Sequence, residues 1–581
     1  MKTIRNILYL VKPYWQYGRL YLLGRIALPV AVAPALALAD VRLMQAVLDA
    51  IDAGAALRST LAVAGALVGI KLGLTMLRWS FLLLYDRWKA VDMRNRINRG
   101  IYAQAVATDY KYFDNPEFYN DFTFAAGELA AKSEDALSLL TEILALVSVI
   151  AAMAAYLSAL GPWVIAISVA GQLICLLAQL RIQKAGLERT AEALPFDRGL
   201  QYVHRVAYQK QYAADMKSTG LPGLALAMFD RSGEGKVGVF KKYAWPHWRA
   251  NMLMFAAWHL CELAQLAWLI YCVFTQGVGA GAVAGMFAAA VKLNHQINSF
   301  VGVSAKAVEA SLYADKVRAF FAHPSKIEQK KGGCEPPAGA FALELRDVSF
   351  AYPGAGFALK NISMSIRPGE KIAIVGENGA GKSTLAKLLL RLYDVDEGEI
   401  LYNGVPVREY DVHALRRKIG VAFQDSQVYA LTVRENMELY NRADDGTLRD
   451  VLCRAGLELD LDNRVTREFD GDGAVLSGGQ AQKLGLTRLL HGEFGLLLLD
   501  EPSSALDPLA EYQMTRLIFG QPDTTTVMVA HRLSSVRGAD RIYLVDGGTI
   551  AEYGTHGELM ALGGKYAEMF NRQAEEYVRV G

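Results

Sequence analysis

Along the first 305 positions the apolar residues do not alternate; they run on. Stretches near the length needed to cross a bilayer recur at roughly 20–48, 59–85, 137–160, 162–180, 251–274 and 280–303, which predicts six transmembrane helices. The connections differ in character. Residues 87–136 and 181–250 are long, rich in Lys and Arg and helically patterned throughout, so they are expected as cytoplasmic extensions of the spans. Gly161-Pro162 and the stretch around 275–280 are short and lack Lys and Arg. By the positive-inside rule both termini and the long loops are cytoplasmic. The opening MKTIRNILYLVKPYWQYGRLYLL is too long for a secretory signal and lacks a clean cleavage site. It reads as an amphipathic helix on the membrane surface, with Tyr14, Trp15 and Tyr17 at the interface.

Each long loop has a turn-prone middle. In YFDNPEFYNDF, Asp114 and Asn115 precede Pro116, an arrangement that starts a short helix. The second tip is expected about Tyr212 to Gly220. After Phe320-Phe321 the run HPSKIEQKKGGCEPPAGA reads as a linker. The expected division is therefore a membrane domain at 1–322, a linker at 323–340 and a second domain at 341–581. In that domain FALELRDVSFAY alternates as a strand, and strands then alternate with helices up to RIYLVDGGTIAEYG. Between about 427 and 490 helical patterning takes over. The expected fold is an α-helical membrane domain of six transmembrane helices, followed by an α/β P-loop domain with a helical subdomain.

Composition agrees with two unlike halves: of 581 residues, 52% are hydrophobic and only 21% charged. The net charge of +2 gives no global attraction to nucleic acid, and no nucleic-acid partner is expected. Cys175, Cys261, Cys272, Cys334 and Cys453 are scattered and lack CxxC spacing, so neither a disulfide framework nor a zinc site is expected.

The candidate chemistry centres on GENGAGKST, Gly376 to Thr384, between the apolar run KIAIV and the leucine-rich LAKLLLRLY. Strand, glycine turn and helix make a phosphate cradle: backbone N–H groups around Gly376, Asn378, Gly379, Gly381 and Thr384 surround oxygens, Lys382 reaches the outer phosphates, and Ser383 ligates Mg²⁺. LLLLDE, Leu496 to Glu501, is a buried-type strand ending in two acids. Asp500 is placed to hold the metal and Glu501 to polarise an attacking water.

LSGGQ, Leu476 to Gln480, is explained by nothing in general composition. With the cradle before it and LLLLDE after it, the sequence resembles the ATP-binding cassette (ABC) transporters. The resemblance implies ATP and Mg²⁺ as cofactors, with Tyr352 stacking on adenine, Gln424 sensing Mg²⁺ and His531 contacting the γ-phosphate. It also implies that SALD, Ser504 to Asp507, joins two nucleotide sites. Ser477, Gly478, Gly479 and Gln480 make a second anion site at a helix N-terminus, which one domain cannot use on its own γ-phosphate. The family answer is a head-to-tail dimer. One membrane half and one cassette resemble an exporter-type half-transporter, with a second copy favoured over a different partner chain and with the lipid bilayer as its setting. Glu468, Asp470 and Asp472, before the signature, supply acids with shifted spacing. No peptidase domain precedes the first span, so leader-peptide processing is not expected.

The implied activity is ATP hydrolysis coupled to export across the cytoplasmic membrane, of a peptide or other amphipathic molecule. Lipid flipping and multidrug efflux stay open at this point, as does a nucleotide-gated membrane protein. A soluble P-loop regulator or DNA-repair ATPase would not carry six apolar stretches. Arg25, Lys71, Arg78, His259, Glu262, Lys292 and His295 fall inside the expected spans. His259, Glu262 and Gln265 share a helix face and are expected either to line a substrate path or to make internal pairs.

Overall fold

The computed structural model describes residues 2–158, 163–323, 325–328, 332–353, 356–424, 427–467, 471–502 and 506–580. They fall into two compact units, one of Met1–Ala105 with Asn120–Ala322 and the other of Val106–Tyr119 with His323–Gly581. The connection at Gly161-Pro162 lies outside the described residues.

The first unit is helical. Helix α1 (Lys2–Tyr17) is amphipathic and buries Asn6, Ile7, Leu10, Val11 and Tyr14. These positions share one face at helical spacing, which explains why Tyr14 is internal while Trp15 and Tyr17 remain exposed. The long helices are α2 (Arg19–Asp52), α3 (Leu57–Ser80), α4 (Arg87–Val106), α5 (Pro116–Leu157), α6 (Trp163–Tyr208), α8 (Leu221–Gln276) and α9 (Ala280–Ala322). A π-helical turn, Phe81–Asp86, joins α3 to α4. The short α7 (Lys210–Ser218) lies at the expected second tip. Pro116 begins the 42-residue α5 rather than a short helix, because nothing after this N1 proline interrupts the helical pattern.

Among the described residues, five helices are long and apolar enough to cross a membrane. The sixth expected span, 280–303, lies in α9, where Lys292, Asn294, His295 and Gln296 break the apolar run. Helix α3 buries no residue at all, as suits a helix facing lipid rather than water.

Small residues let these helices approach. A Cβ added at Gly171 of α6 would stand 2.7 Å from the Cys261 Sγ of α8. A core of Ala37, Val41, Met153, Leu157, Ala289, Ala290 and Leu293 ties α2, α5 and α9 together. The polar residues within the spans are mostly paired. Arg25 binds Asp86, which also accepts from the Tyr21 hydroxyl at 2.8 Å. Lys71 and Lys292 share Asp40 at 2.6 and 2.5 Å. The expected His259, Glu262 and Gln265 face divides. His259 Nδ1 lies 3.1 Å from Glu262 on an exposed surface, whereas Gln265 is fully buried and donates to Ser168 Oγ at 2.6 Å.

The second unit is α/β. In chain order it comprises β1 (Leu343–Ala351), β2 (Phe357–Ile366), β3 (Lys371–Val375), α10 (Lys382–Leu389), β4 (Glu397–Tyr402), β5 (Val405–Pro406), α11 (Val412–Arg417) and β6 (Ile419–Ala422). Then come α12 (Val433–Met437), α13 (Asp445–Arg454), α14 (Gly478–Thr487), β7 (Leu496–Asp500), α15 (Pro508–Phe519), β8 (Thr525–Val529), β9 (Arg541–Asp546), β10 (Thr549–Gly554), α16 (His556–Leu562) and α17 (Lys565–Val580). An antiparallel sheet has the order β2-β1-β4-β5, and a larger sheet has the order β10-β9-β3-β8-β7-β6. In the larger sheet β9, β3, β8, β7 and β6 are parallel, with Ile374 paired to Val529 and Asp500 also paired to Val529 across β8. Strands β3, β7 and β8 are buried on nearly every residue, which is why β3 and β7 read as near-continuous apolar runs, whereas β8 opens with the buried Thr525 and Thr526. Helices α12 to α14 form the expected helical region.

Segment 106–119 belongs to this second unit. The buried Asp109 accepts from the backbone N–H groups of Lys326, Ile327 and Glu328 at 2.9, 3.0 and 3.0 Å. Glu328 then pairs with Arg416 at 2.6 Å. Asp114 accepts from the Tyr393 hydroxyl, and the Tyr110 ring packs edge-on against Tyr393 at 5.9 Å.

Candidate functional site

Because β3, β8, β7 and β6 are neighbours running the same way, whatever follows their C-terminal ends is gathered along one crevice, the usual ligand position of such a sheet. After β3 comes the glycine turn, after β8 His531, at the end of β7 Asp500 and Glu501, and after β6 Gln424. Gln424, Glu501 and His531 line a cavity of about 700 Å³ together with Tyr352, Asn378, Gly379, Gly381, Lys382, Ser383 and Thr384, and the buried Asp500 stands behind Ser383. That is a volume suited to a small-molecule ligand.

The turn needs its glycines. Gly376, Gly379 and Gly381 have φ of 152°, 78° and 104°, and a Cβ on Gly376 would stand 2.1 Å from the Val545 carbonyl oxygen. Lys382 is 5% exposed, and its Nζ donates to the carbonyls of Gly376 and Glu377, both at 2.9 Å. Burial holds its pKa below the usual lysine value, with Glu501 and Asp500 opposing that shift. An ammonium satisfied only by two carbonyls is poised to exchange them for phosphate oxygens.

Ser383 Oγ donates to Asp500 Oδ1 at 3.2 Å. Burial pushes the Asp500 carboxyl above its ordinary range, and the Ser383 hydrogen bond pulls the other way. A hydroxyl and a carboxylate side by side, with the exposed Gln424 in the same cavity, form a hard-oxygen set suited to Mg²⁺ shared with phosphates. Glu501 adopts φ 50°, in the left-handed region, and its N–H donates to Val529 O at 3.0 Å. Strain of this kind persists where the surroundings fix it. Its carboxylate meets the imidazole Nε2 of His531. Tyr352 packs edge-on against Phe350 and Tyr393, and its hydroxyl lies 3.2 Å from Thr384 Oγ1.

The sequence-predicted residues therefore divide. Those of the glycine turn, with Tyr352, Gln424, Asp500, Glu501 and His531, gather at the crevice. Ser477, Gly478, Gly479 and Gln480 do not line it; they open α14, where Ser477 Oγ accepts from Gln480 N–H and Gln480 returns a bond to Ser477 N–H. Ser477, Gly478 and Gln480 are exposed. Glu468, Asp470 and residues 503–505 lie outside the described residues.

Two supports around His531 had no sequence signal. Arg532 donates to Glu511 at 2.5 Å. Gln573 of α17 accepts from Leu533 N–H at 2.9 Å and donates to the His531 carbonyl at 2.8 Å. Partners 40 residues apart leave no periodic trace.

Residues 359–504 match the family described as ABC transporter. The ATP-dependent lipid A-core flippase of Salmonella paratyphi A is 33% identical over 302 residues, 51% of either chain. That of Paraburkholderia xenovorans is 38% identical over 257 residues, 43% of either chain. The ABC transporter B family member 2 of Dictyostelium discoideum is 36% identical over 243 residues, 40% of this chain and 17% of that one. The chain thus aligns with about half the length of the flippases it matches. A bacterial Atm1-family ABC exporter, solved with ATP bound, superposes with a TM-score of 0.76 at 22% identity, over 96% of this chain and 99% of that one. The chain accordingly has the fold of that exporter, a helical domain of membrane-length helices followed by an α/β domain, and residues 359–504 of the α/β domain match the ABC transporter family.

Proposed function

We propose that this chain is one half of an ATP-driven exporter of the cytoplasmic membrane, with residues 1–322 as the membrane domain, 323–340 as linker and 341–581 as the ATPase domain. Both termini and the ATPase domain face the cytoplasm. The reading rests on one observation: the ends of adjacent strands bring Lys382, Ser383 with Asp500 bonded behind it, and Glu501 with His531 to one crevice, while Ser477 to Gln480 stand outside its cavity.

In this reading adenine stacks on Tyr352, and the cradle N–H groups take the phosphates. Lys382 trades its two carbonyls for phosphate oxygens. Ser383, Asp500 and Gln424 would hold Mg²⁺, which would supply charge neutralisation at the phosphates. Glu501 takes the proton of the attacking water, and His531 contacts the γ-phosphate. The signature of a second copy closes the site, so two chains complete two sites. Closure of the cassettes drives the spans, and hydrolysis resets them. The exported molecule is a peptide or other amphipathic compound. Lipid flipping is the second reading, favoured by the similarity to the lipid A-core flippases.

The test is ATP hydrolysis by the purified chain in lipid, wild type beside Glu501→Gln and Lys382→Ala. Glu501→Gln is expected to bind ATP while turnover falls at least about 100-fold, the range of a lost general base. Lys382→Ala is expected to lose turnover through lost phosphate contact. Unchanged hydrolysis in Glu501→Gln would overturn the assignment of the base.

A further inference from the structure

Helices α6, α8 and α9 enclose a cavity of about 250 Å³, lined in part by Gln172, Cys175, Asn251, Met254, Trp258 and Asn298. Gln172 is only 4% exposed, yet among the described residues neither its amide nitrogen nor its oxygen has a hydrogen-bond partner, and the indole N–H of Trp258 also lacks one. The cavity lies deep. Trp258 stands 18 residues before Gln276, the end of α8, and Asn298 stands 18 residues after Ala280, the start of α9. At 1.5 Å per residue that is about 27 Å along each helix, toward the far side of a hydrocarbon layer of about 30 Å counted from those ends. Gln172 stands nine residues after Trp163, the start of α6, about 14 Å in and near the middle of such a layer. Lipid tails offer nothing to a carboxamide at that depth.

The same three helices hold a counterexample one to two turns away. Gln265 donates to Ser168 at 2.6 Å and accepts from Asn294 at 2.9 Å. Both Gln265 and Asn294 are fully buried. This bundle pairs its buried amides where no cavity intervenes. Gln172, unpaired at both amide atoms, faces the open space.

The unmet groups define their complement. Gln172 offers one donor face and one acceptor oxygen, and Trp258 offers a second donor. An amide answers all three, its oxygen accepting and its N–H donating. An ester answers only the donors. None of the described residues lining the cavity is charged, which selects a neutral group. The volume falls below the usual range for drug-sized ligands, about 300–1,000 Å³, so it fits one apolar side chain with its adjoining amide. Met252, Met254 and Phe255 supply the adaptable apolar wall.

We propose that this cavity binds one neutral, amide-bearing apolar unit of the transported molecule, the chemistry of a hydrophobic peptide segment, with Gln172 and Trp258 reading the amide. The proposal rests on the exporter reading and names its substrate class. The test uses the full chain in lipid nanodiscs. Equilibrium binding is measured for radiolabelled N-acetyl-leucyl-phenylalaninamide and for its analogue in which an ester oxygen replaces the linking N–H. Saturable binding of the amide is expected, weaker for the ester by about threefold to tenfold, the worth of one neutral hydrogen bond. Gln172→Met, close in shape, and Trp258→Phe, which keeps an aromatic ring, are each expected to weaken amide binding by a similar factor. Gln172→Met is also expected to erase the preference for amide over ester.

No saturable binding to the wild type, equal affinity for amide and ester, or unchanged affinity in Gln172→Met would overturn the proposal and assign Gln172 to a bound water. ATP turnover measured on the same preparation separates the two readings. Turnover without probe binding removes the cavity assignment alone, and probe binding without turnover removes the exporter reading alone.

Discussion

Asp500 meets two demands that pull its proton in opposite directions. Burial favours the neutral acid, while Ser383 favours the carboxylate, as a bound metal would. Its folded pKa is raised, so any stability it contributes is present below the unfolded value, about 3.9, and is lost as pH rises through the folded value. At neutral pH and without metal, Asp500→Asn is therefore expected to raise the melting temperature. In the same variant, Mg²⁺ with nucleotide should add less stability than it adds to the wild type. Calorimetry with and without Mg²⁺ and a non-hydrolysable nucleotide checks both signs. Below neutrality the wild type should lose metal-dependent nucleotide binding at a pH above the ordinary aspartate range. Residues of this kind were legible in the sequence because their roles depend on near neighbours: a turn's glycines, the lysine that closes it, a strand's terminal acids. Gln573 and the Arg532 and Glu511 pair were not legible, since their partners come from other elements.

At the scale of elements, the glycine turn and the loop carrying Asp109 make the sharpest claims. Gly376→Ala sets a methyl carbon 2.1 Å from the Val545 carbonyl oxygen at φ 152°. The expected cost is about 1–3 kcal/mol of stability, with lost ATP affinity, checked by thermal unfolding and nucleotide titration. Asp109→Ala removes the acceptor of three backbone N–H groups at 326–328. A loss of about 2–3 kcal/mol is expected for such charge-assisted bonds, and limited proteolysis should show faster cleavage near the linker. The strands around the crevice were readable from apolar runs and alternation, and α12 to α14 from helical period. The extent of α5 was not, because Pro116 marks where a helix starts and carries no information about where it stops. The split of His259, Glu262 and Gln265 also escaped the sequence. A shared face fixes direction within one helix, while burial depends on which neighbour, here Ser168 and Asn294, packs against each turn.

For the whole molecule, the exposed signature outside the crevice makes a prediction by complementation. A chain carrying Lys382→Ala lacks a cradle, and one carrying Ser477→Arg lacks a signature, so either alone is expected to be inactive. Mixed in one membrane, they form dimers in which one site combines both lesions and the other combines two intact parts. About half of the activity per mixed dimer should return if its two sites turn over independently, measured after purification through two different tags. No recovery would confine each site to a single chain. The strap from α17 to the histidine loop has a different kind of consequence. Gln573 follows Asp546, the end of the strand β9 that flanks β3, by 27 positions, so while the chain is being synthesised the strands that frame the phosphate cradle are complete before the residue that fixes the His531 backbone has left the ribosome. A nascent chain would then hold nucleotide before it could spend it, and ligand would steady the young domain during the interval in which turnover has no transport to drive.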